Sequence, residues 1–316
     1  MLRRVVEDQV ELSPSLSSPP GALASLRAVV LLAGTVGENR LHRATGRNLV
    51  DLPVTQSDTL LDLWRRELLD LANRHTLSAL PVRVMLGRQA SPVTLKGSPE
   101  PLIMRMEQDP FDYRGTGGLL SDLAREYEDD QFILVANAAQ VLLHSVADMA
   151  QALAKRNVDI ALLADPAGVP GGLMLIRCGC LRGIQPVGYV DLKEQALPTI
   201  AKSFDVRVVR LDQPMGMPIR TQRHYLDALR TYYRLASGQV GAVALWQEED
   251  WQASFGLVES GAQVAQSATI HDSVVLRGAV VEPDAVVVRS IVCESAVVAR
   301  GVSAMDCFVT SKAGGS

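Results

Sequence analysis

The hydrophobic positions fall into short unbroken runs separated by stretches of helical periodicity. RAVVLLAG (Arg27–Gly34) is a continuous apolar run closed by glycine, the pattern of a parallel strand buried on both faces. In SDTLLDLWRRELLDLANRH, Leu60, Leu61, Trp64, Leu68 and Leu71 recur at helical spacing, with Ser57 or Asp58 as the expected N-cap. VRVMLG (Val82–Gly87) and PLIMRM (Pro101–Met106) read as strands, and GGLLSDLAREYEDD as a helix. LVANAAQVL (Leu134–Leu142) reads as a buried strand ending in Asn-Ala-Ala and running on toward the helix DMAQALAKRN. VDIALLAD and GLMLIRC are further strands, and DLKEQALPTIAKSF is a helix broken near Pro198. VRVVRL is a strand, and TQRHYLDALRTYYRLASG a helix stopping at Gly238. This alternation predicts an α/β fold, a Rossmann-like, mainly parallel sheet over residues 25–240. Residues 1–24, with the Pro/Ser segment SPSLSSPPG, read as a tail and linker, and residues 241–262 as a connector.

From residue 263 to 316 the pattern changes. VAQSATIHDSVVLRGAV, VEPDAVVVRSIVCESAV and VARGVSAMDCFVTSKAG begin at Val264, Val281 and Val298, each 17 residues after the last. The fifth place holds Ala268, Ala285 and Val302, the tenth Ser273, Ser290 and Cys307, and the twelfth Val275, Val292 and Val309. Small and β-branched residues return about every sixth position, as in hexapeptide repeats. The expectation is a short, left-handed parallel β-helix; the competing reading is a set of valine-rich hairpins. Valine-rich faces and an open coil end predict self-association through residues 264–316, with a second copy or with a paralogue.

Hydrophobic residues make up 47% and charged residues 21%, the balance of a soluble globular protein. The net charge of −4 gives no global reason to expect nucleic-acid binding. No apolar run is long enough to span a membrane, and Glu7, Asp8 and Glu11 interrupt what a signal peptide would keep apolar, so a cytoplasmic location is expected. Four cysteines are not a disulfide framework. Cys178 and Cys180, read as one face of a strand, are two sulfurs where zinc wants four ligands. The lone histidines form no triad or metal pattern. Glycines that admit backbone N–H groups to phosphate, and arginines that donate in pairs to it, suit LLAGTVGENRLHRATGRNL, where Arg40, Arg43 and Arg47 cluster with His42. A solvated surface loop is the equal alternative.

An α/β domain opened by LLAG and followed by hexapeptide-type coils resembles the sugar-phosphate nucleotidyltransferases, and in layout the mannose-1-phosphate guanylyltransferases. The resemblance covers about residues 27–310. Ala33, Gly34, Arg40, Leu41, Thr45, Pro53 and Val54 fit the family's glycine-rich loop, with two extra residues before Arg40. RGTGGLLSDL resembles the L-G-T-A-G-A-L motif, which implies that Gly115, Thr116 and Gly118 would hold a nucleotide base, together with Ala33 and Gly34. Asp191 and Pro198 keep a later spacing, and PIRTQRHYLDAL resembles D-I-G-T-P-x-x-Y-L-x-A through Ile219, Thr221, Tyr225, Leu226 and Ala228.

The same resemblance marks what is missing. The family couples a nucleoside triphosphate to a sugar 1-phosphate, and two polyanions need Mg²⁺ held by carboxylates. One carboxylate comes from N-G-D, which here is Asn137-Ala138-Ala139; the other comes from D-I-G-T-P, where Pro218 stands. The P-K-P-L lysine has no match near Asn48; Arg47 is the nearest cation and, with Arg40, a candidate phosphate contact. The stretch from Asp159 to Leu173 is too short for the E-K-P sugar hairpin. Three readings follow. The first is a degenerate family member that binds a nucleotide or nucleotide sugar, or regulates an active paralogue, without Mg²⁺ chemistry. The second is an active nucleotidyltransferase using Mg²⁺ held by other carboxylates such as Asp109, Asp112 or Asp191. The third is a structural assembly module.

Overall fold

The computed structural model describes residues 7–10 (backbone), 22–34, 40–88, 90–93, 95–109, 114–185, 188–237 and 254–311. Several expectations lie outside these residues: the Pro/Ser segment, the loop between Gly34 and Arg40, Asp112, the stop at Gly238 and most of the connector.

In chain order the α/β part contains β1 (Glu7–Val10), β2 (Leu26–Leu32), α1 (Arg40–Thr45), α2 (Leu60–Arg74), β3 (Leu80–Leu86) and β4 (Leu102–Gln108). Next come α3 (Gly115–Ala124), β5 (Phe132–Asn137), β6 (Gln140–Leu142), α4 (Val146–Ala154), β7 (Ile160–Ala164) and β8 (Pro170–Arg177). It closes with α5 (Leu197–Ile200), β9 (Val206–Leu211), β10 (Gly216–Pro218) and α6 (Gln222–Ala236). Among the described residues the sheet has eight strands in the order β1-β9-β7-β8-β5-β2-β3-β4, and β10 pairs with β6 apart from it. The central strands are apolar throughout because both faces are covered. In β2, Val29 and Leu31 join the core under α2 and α4, while Ala28 and Val30 join the core under α3 and α5.

Three corrections to the sequence reading have local causes. The sheet is mixed, since β8 runs antiparallel to both β5 and β7. Strand direction is invisible in an apolar run, and only the short β7–β8 turn signals it. The α2 N-cap is Thr59, not Ser57 or Asp58: its hydroxyl accepts the Asp62 N–H at 3.2 Å, and Asp62 accepts the Thr59 N–H at 3.0 Å, a reciprocal capping box. Cys178 and Cys180 fall in a 3₁₀ turn (Cys178–Leu181) after β8 rather than in the strand. Both are free and buried, and burial pushes each thiol up to about 11, so they pack as neutral side chains. The segment read as a tail supplies β1, whose backbone pairs in parallel with β9.

Beyond residue 254 the chain forms three parallel sheets consistent with a hexapeptide-repeat β-helix. Every pairing carries the 17-residue offset, as in Gly256↔Ser273, Val264↔Val281, Thr269↔Val286 and Ile291↔Phe308. Hairpins would pair antiparallel, so that alternative is excluded. The coil starts at Gly256, one strand before the recognisable repeat. Ser273 and Ser290, both fully buried, act as a polar ladder: each hydroxyl donates to a carbonyl and accepts the N–H of the residue one coil on. The coils are not a separate appendage. Leu257, Val274, Leu276, Ile291 and Cys293 belong to the same core as α2, α4 and α6. Tyr233 of α6 stacks on Phe255 with ring centroids 5.7 Å apart, and Gln222 donates to the Arg289 and Cys307 carbonyls.

Candidate functional site

The carboxyl ends of β2, β3 and β5 lie side by side, with Leu32 opposite Met85 on one flank and Asn137 on the other. Ligands of open α/β sheets gather at such ends. The edge is fastened by backbone bonds: Ala33 N–H donates to the Met85 carbonyl at 2.9 Å and Ala138 N–H to the Leu32 carbonyl at 3.0 Å. The Trp64 indole, fully buried on α2, donates to the Ala138 carbonyl at 3.0 Å. Gly34 follows at the surface, where an added Cβ would stand 3.2 Å from the Gly87 nitrogen, so the close approach of β2 and β3 favours glycine there.

LVANAAQVL is not one strand. β5 stops at exposed Asn137, whose side-chain oxygen accepts the Ala139 N–H at 3.1 Å and turns the chain into β6. β6 then pairs antiparallel with β10, with Gln140 opposite Pro218, and Ile219 N–H donates to the Ala139 carbonyl at 2.8 Å. Ala139 and Pro218, 79 positions apart in sequence, are thus next to one another at the end of β5. Of Asn137, Ala138, Ala139, Pro218 and Ile219, Asn137 alone carries a side-chain oxygen, and that oxygen is engaged. Buried Gln140 spends its amide on the Asn137 carbonyl at 2.7 Å. This donor set does not fit Mg²⁺, which needs several hard oxygens at one point. Among the described residues no group of three or more His, Cys, Asp and Glu side chains is placed to hold a metal.

The other sequence candidates scatter. Gly115, Thr116 and Gly118 open α3, and the turn docks on the segment before α5. Gly117 N–H donates to the Val190 carbonyl at 2.9 Å, Val190 N–H to the Arg114 carbonyl at 2.9 Å, and the Thr116 hydroxyl accepts the Leu192 N–H at 3.1 Å. Gly115 sits at φ +67°, and an added Cβ would come within 2.5 Å of the Val190 oxygen. The Gly-Thr-Gly-Gly run therefore has a packing reason of its own. Asp191, weighed as a metal ligand, accepts the Lys193 and Glu194 N–H groups at 2.8 Å each as a helix cap. Asp109 lines a cavity of about 720 Å³ whose carboxylates largely face arginines, with Arg83 on Glu107 and Glu126 and Arg114 on Asp122.

Arg47 is the clearest departure from expectation. Its guanidinium turns inward and donates to both Glu259 oxygens at 2.9 Å, with the two side chains 9% and 4% exposed. The His42 ring is bonded to the Arg47 carbonyl at 2.6 Å. A buried guanidinium must be paired, and Glu259, 212 positions away, takes both hydrogen bonds while Glu294 stands further off at 3.8 Å. Arg40 is exposed at the start of α1 and faces the Phe308 ring, 6.0 Å from its centroid, on the last coil. Sequence reasoning missed Glu259 and Phe308; nothing in the repeat pattern marks Glu259, which precedes it.

No protein-family model matches the chain, and no curated protein does. Solved structures do. A Bacillus anthracis protein provisionally identified as a glucose-1-phosphate thymidylyltransferase, solved in complex with sucrose, superposes with a TM-score of 0.51 at 10% identity, over 66% of this chain and 95% of its own. The chain has a sugar-nucleotide nucleotidyltransferase fold. HddC from Yersinia pseudotuberculosis gives a TM-score of 0.46 at 14% identity, over 65% of this chain and 99% of its own. A homologue of Mycobacterium tuberculosis rv0371c from Mycobacterium sp. strain JC1 gives 0.45 at 18% identity, over 67% and 98%. On the nucleotidyltransferase fold, the end of β5 is where Ala139 and Pro218 meet.

Proposed function

We propose that this nucleotidyltransferase-fold protein has given up Mg²⁺-dependent transfer and serves as a sugar-nucleotide-binding or regulatory subunit, nearest in layout to the mannose-1-phosphate guanylyltransferases. One observation carries the reading: the two positions expected to supply metal-binding carboxylates, Ala139 and Pro218, adjoin at one strand end, and neither side chain has an oxygen. Without a metal, two polyanionic reactants repel each other and the attacking phosphate is not aligned. Binding asks less, since the backbone N–H groups of Gly34, Gly115 and Thr116 would suffice for a nucleotide, those of Ala33 and Gly117 being spent on the Met85 and Val190 carbonyls. The coil, taken as left-handed, offers Val297, Val302 and Met305, each about half exposed on its last turn, to a second copy or an active paralogue.

The test is pyrophosphate release with a panel of nucleoside triphosphates and sugar 1-phosphates plus Mg²⁺, run beside a thermal-shift screen of the matching sugar nucleotides. The expected outcome is no release above background and a rise in unfolding temperature with one sugar nucleotide. At a hundred-fold excess over Kd the ligand contributes about 2.7 kcal/mol, a shift of several degrees. Turnover that disappears on Thr116→Val would overturn the proposal, and no shift with any ligand would leave only an assembly role.

A further inference from the structure

The start of α6 and the last two coils line a cavity of about 580 Å³. Its wall is strongly basic: Arg40 of α1, Arg220 just before α6, Arg223 and Arg230 on α6, and Arg289 on the coil all reach it. Two are already neutralised. Arg289 gives two N–H groups to Asp306 at 2.7 and 2.8 Å, and Arg230 holds Asp272 at 2.8 Å. Arg223 approaches Asp227 at 3.6 Å while remaining 89% exposed. Arg40 and Arg220 differ from these, for among the described residues neither has a carboxylate partner.

Guanidinium groups gathered around one concavity repel each other, and within a lined cavity that field is focused rather than dispersed into solvent. Asp227 and Asp306 do not balance it, and both are already shared with other arginines. The remaining lining is Thr221 and Gln222 at the start of α6 and the apolar side chains of Leu226 and Phe308. An unpaired pair of arginines beside an aromatic face suits an anion with a flat or apolar body, because arginine donates in pairs to phosphate oxygens and the ring accepts stacking. The volume is within the range of small-molecule sites.

We propose that this cavity binds a small organic phosphate of the nucleoside diphosphate class, with the phosphates between Arg40 and Arg220 and the base against Phe308. Arg40 and Arg220 belong to the α/β part and Phe308 to the last coil, so an occupied site ties the two together. Arg220 is two residues from Pro218, which links occupancy to the strand-end site through β10. This inference does not depend on what the strand-end site binds.

The experiment is equilibrium dialysis of the full chain with labelled pyrophosphate and, separately, with ADP, at low and at physiological ionic strength. Saturable binding that weakens with salt is expected for both probes, tighter for ADP. Arg40→Gln or Arg220→Gln should each weaken it about ten-fold or more, and Arg220→Lys should retain part of it. Neither glutamine variant should move the ligand-free unfolding midpoint by more than roughly a degree, since among the described residues neither guanidinium has a carboxylate to lose and Arg40 lies over Phe308 at the exposed surface. Asn137→Ser, at the end of β5, should leave binding unchanged. Absence of saturable binding by either probe would overturn the proposal. So would full binding by the Arg40→Gln, Arg220→Gln double variant, or loss confined to Asn137→Ser, which would assign the anion to the strand end instead.

Discussion

Glu259 holds two arginines at once. It accepts two bonds from Arg47, one from the Arg277 N–H at 2.7 Å and one from the Arg277 guanidinium at 3.1 Å. Burial by itself would raise its pKa, but the Arg47 hydrogen bonds, the Arg277 N–H and both positive charges outweigh it and hold the carboxyl below its ordinary 4.5. A carboxyl whose folded pKa is depressed contributes stability that is fully present above its unfolded value and is lost as pH falls through the folded one. Glu259→Gln should therefore cost about 3 kcal/mol at neutral pH, the low end for a broken buried pair, because Glu294 at 3.8 Å from Arg47 compensates in part. It should also flatten the fall in stability below about pH 4.5. Urea midpoints from neutral pH to about pH 3 would check both, and a parallel pair of curves would show that Glu259 titrates normally.

At the scale of the element, the α3 turn shows how a motif marked by resemblance can also have a packing explanation. The sequence marks Gly115, Thr116 and Gly118 as a nucleotide loop by resemblance. The structure adds that the turn is wedged against Val190 and Leu192 by three hydrogen bonds. Gly115→Ala places a Cβ 2.5 Å from a carbonyl oxygen at a left-handed φ and should cost about 1–3 kcal/mol, read as a lowered denaturant midpoint with unchanged slope. A neutral result would mean that the segment before α5 moves aside freely. Helices and strands were legible wherever burial imposed a period, as in β2, α2 and α6. The break at Asn137 and the short β6–β10 pair were not, because three-residue strands are too short to show alternation and their pairing is set by β10, far along the chain.

For the whole molecule, the repeat suggests a detachable coil, and the packing denies it. α6 and the coils share one core, so truncating the coils would strip that core as well as any oligomer contact. Surface substitution is the cleaner probe of association. Val297 and Met305 are 54% and 55% exposed on the last coil, whose outer strands have no further coil among the described residues. Val297→Lys with Met305→Lys should reduce the solution mass to that of one chain without lowering the unfolding temperature appreciably. An unchanged mass, by light scattering, would rule this coil out as the interface. No helix among the described residues is long and apolar enough to cross a membrane.

The sequence by itself determined the alternation of strands and helices, the 17-residue coil and the absence of oxygen-bearing side chains at positions 139 and 218. These are local or periodic properties: burial of a face repeats along the chain, and side-chain chemistry is written at each position. Only the tertiary structure decided that β8 runs antiparallel, that Arg47 is spent on Glu259, that Ala139 and Pro218 adjoin, and that Arg40 and Arg220 face one cavity with Phe308. Each of those depends on which distant segment removes water from which side chain. A buried charge takes whatever partner the packing brings to it, and no local period announces that choice.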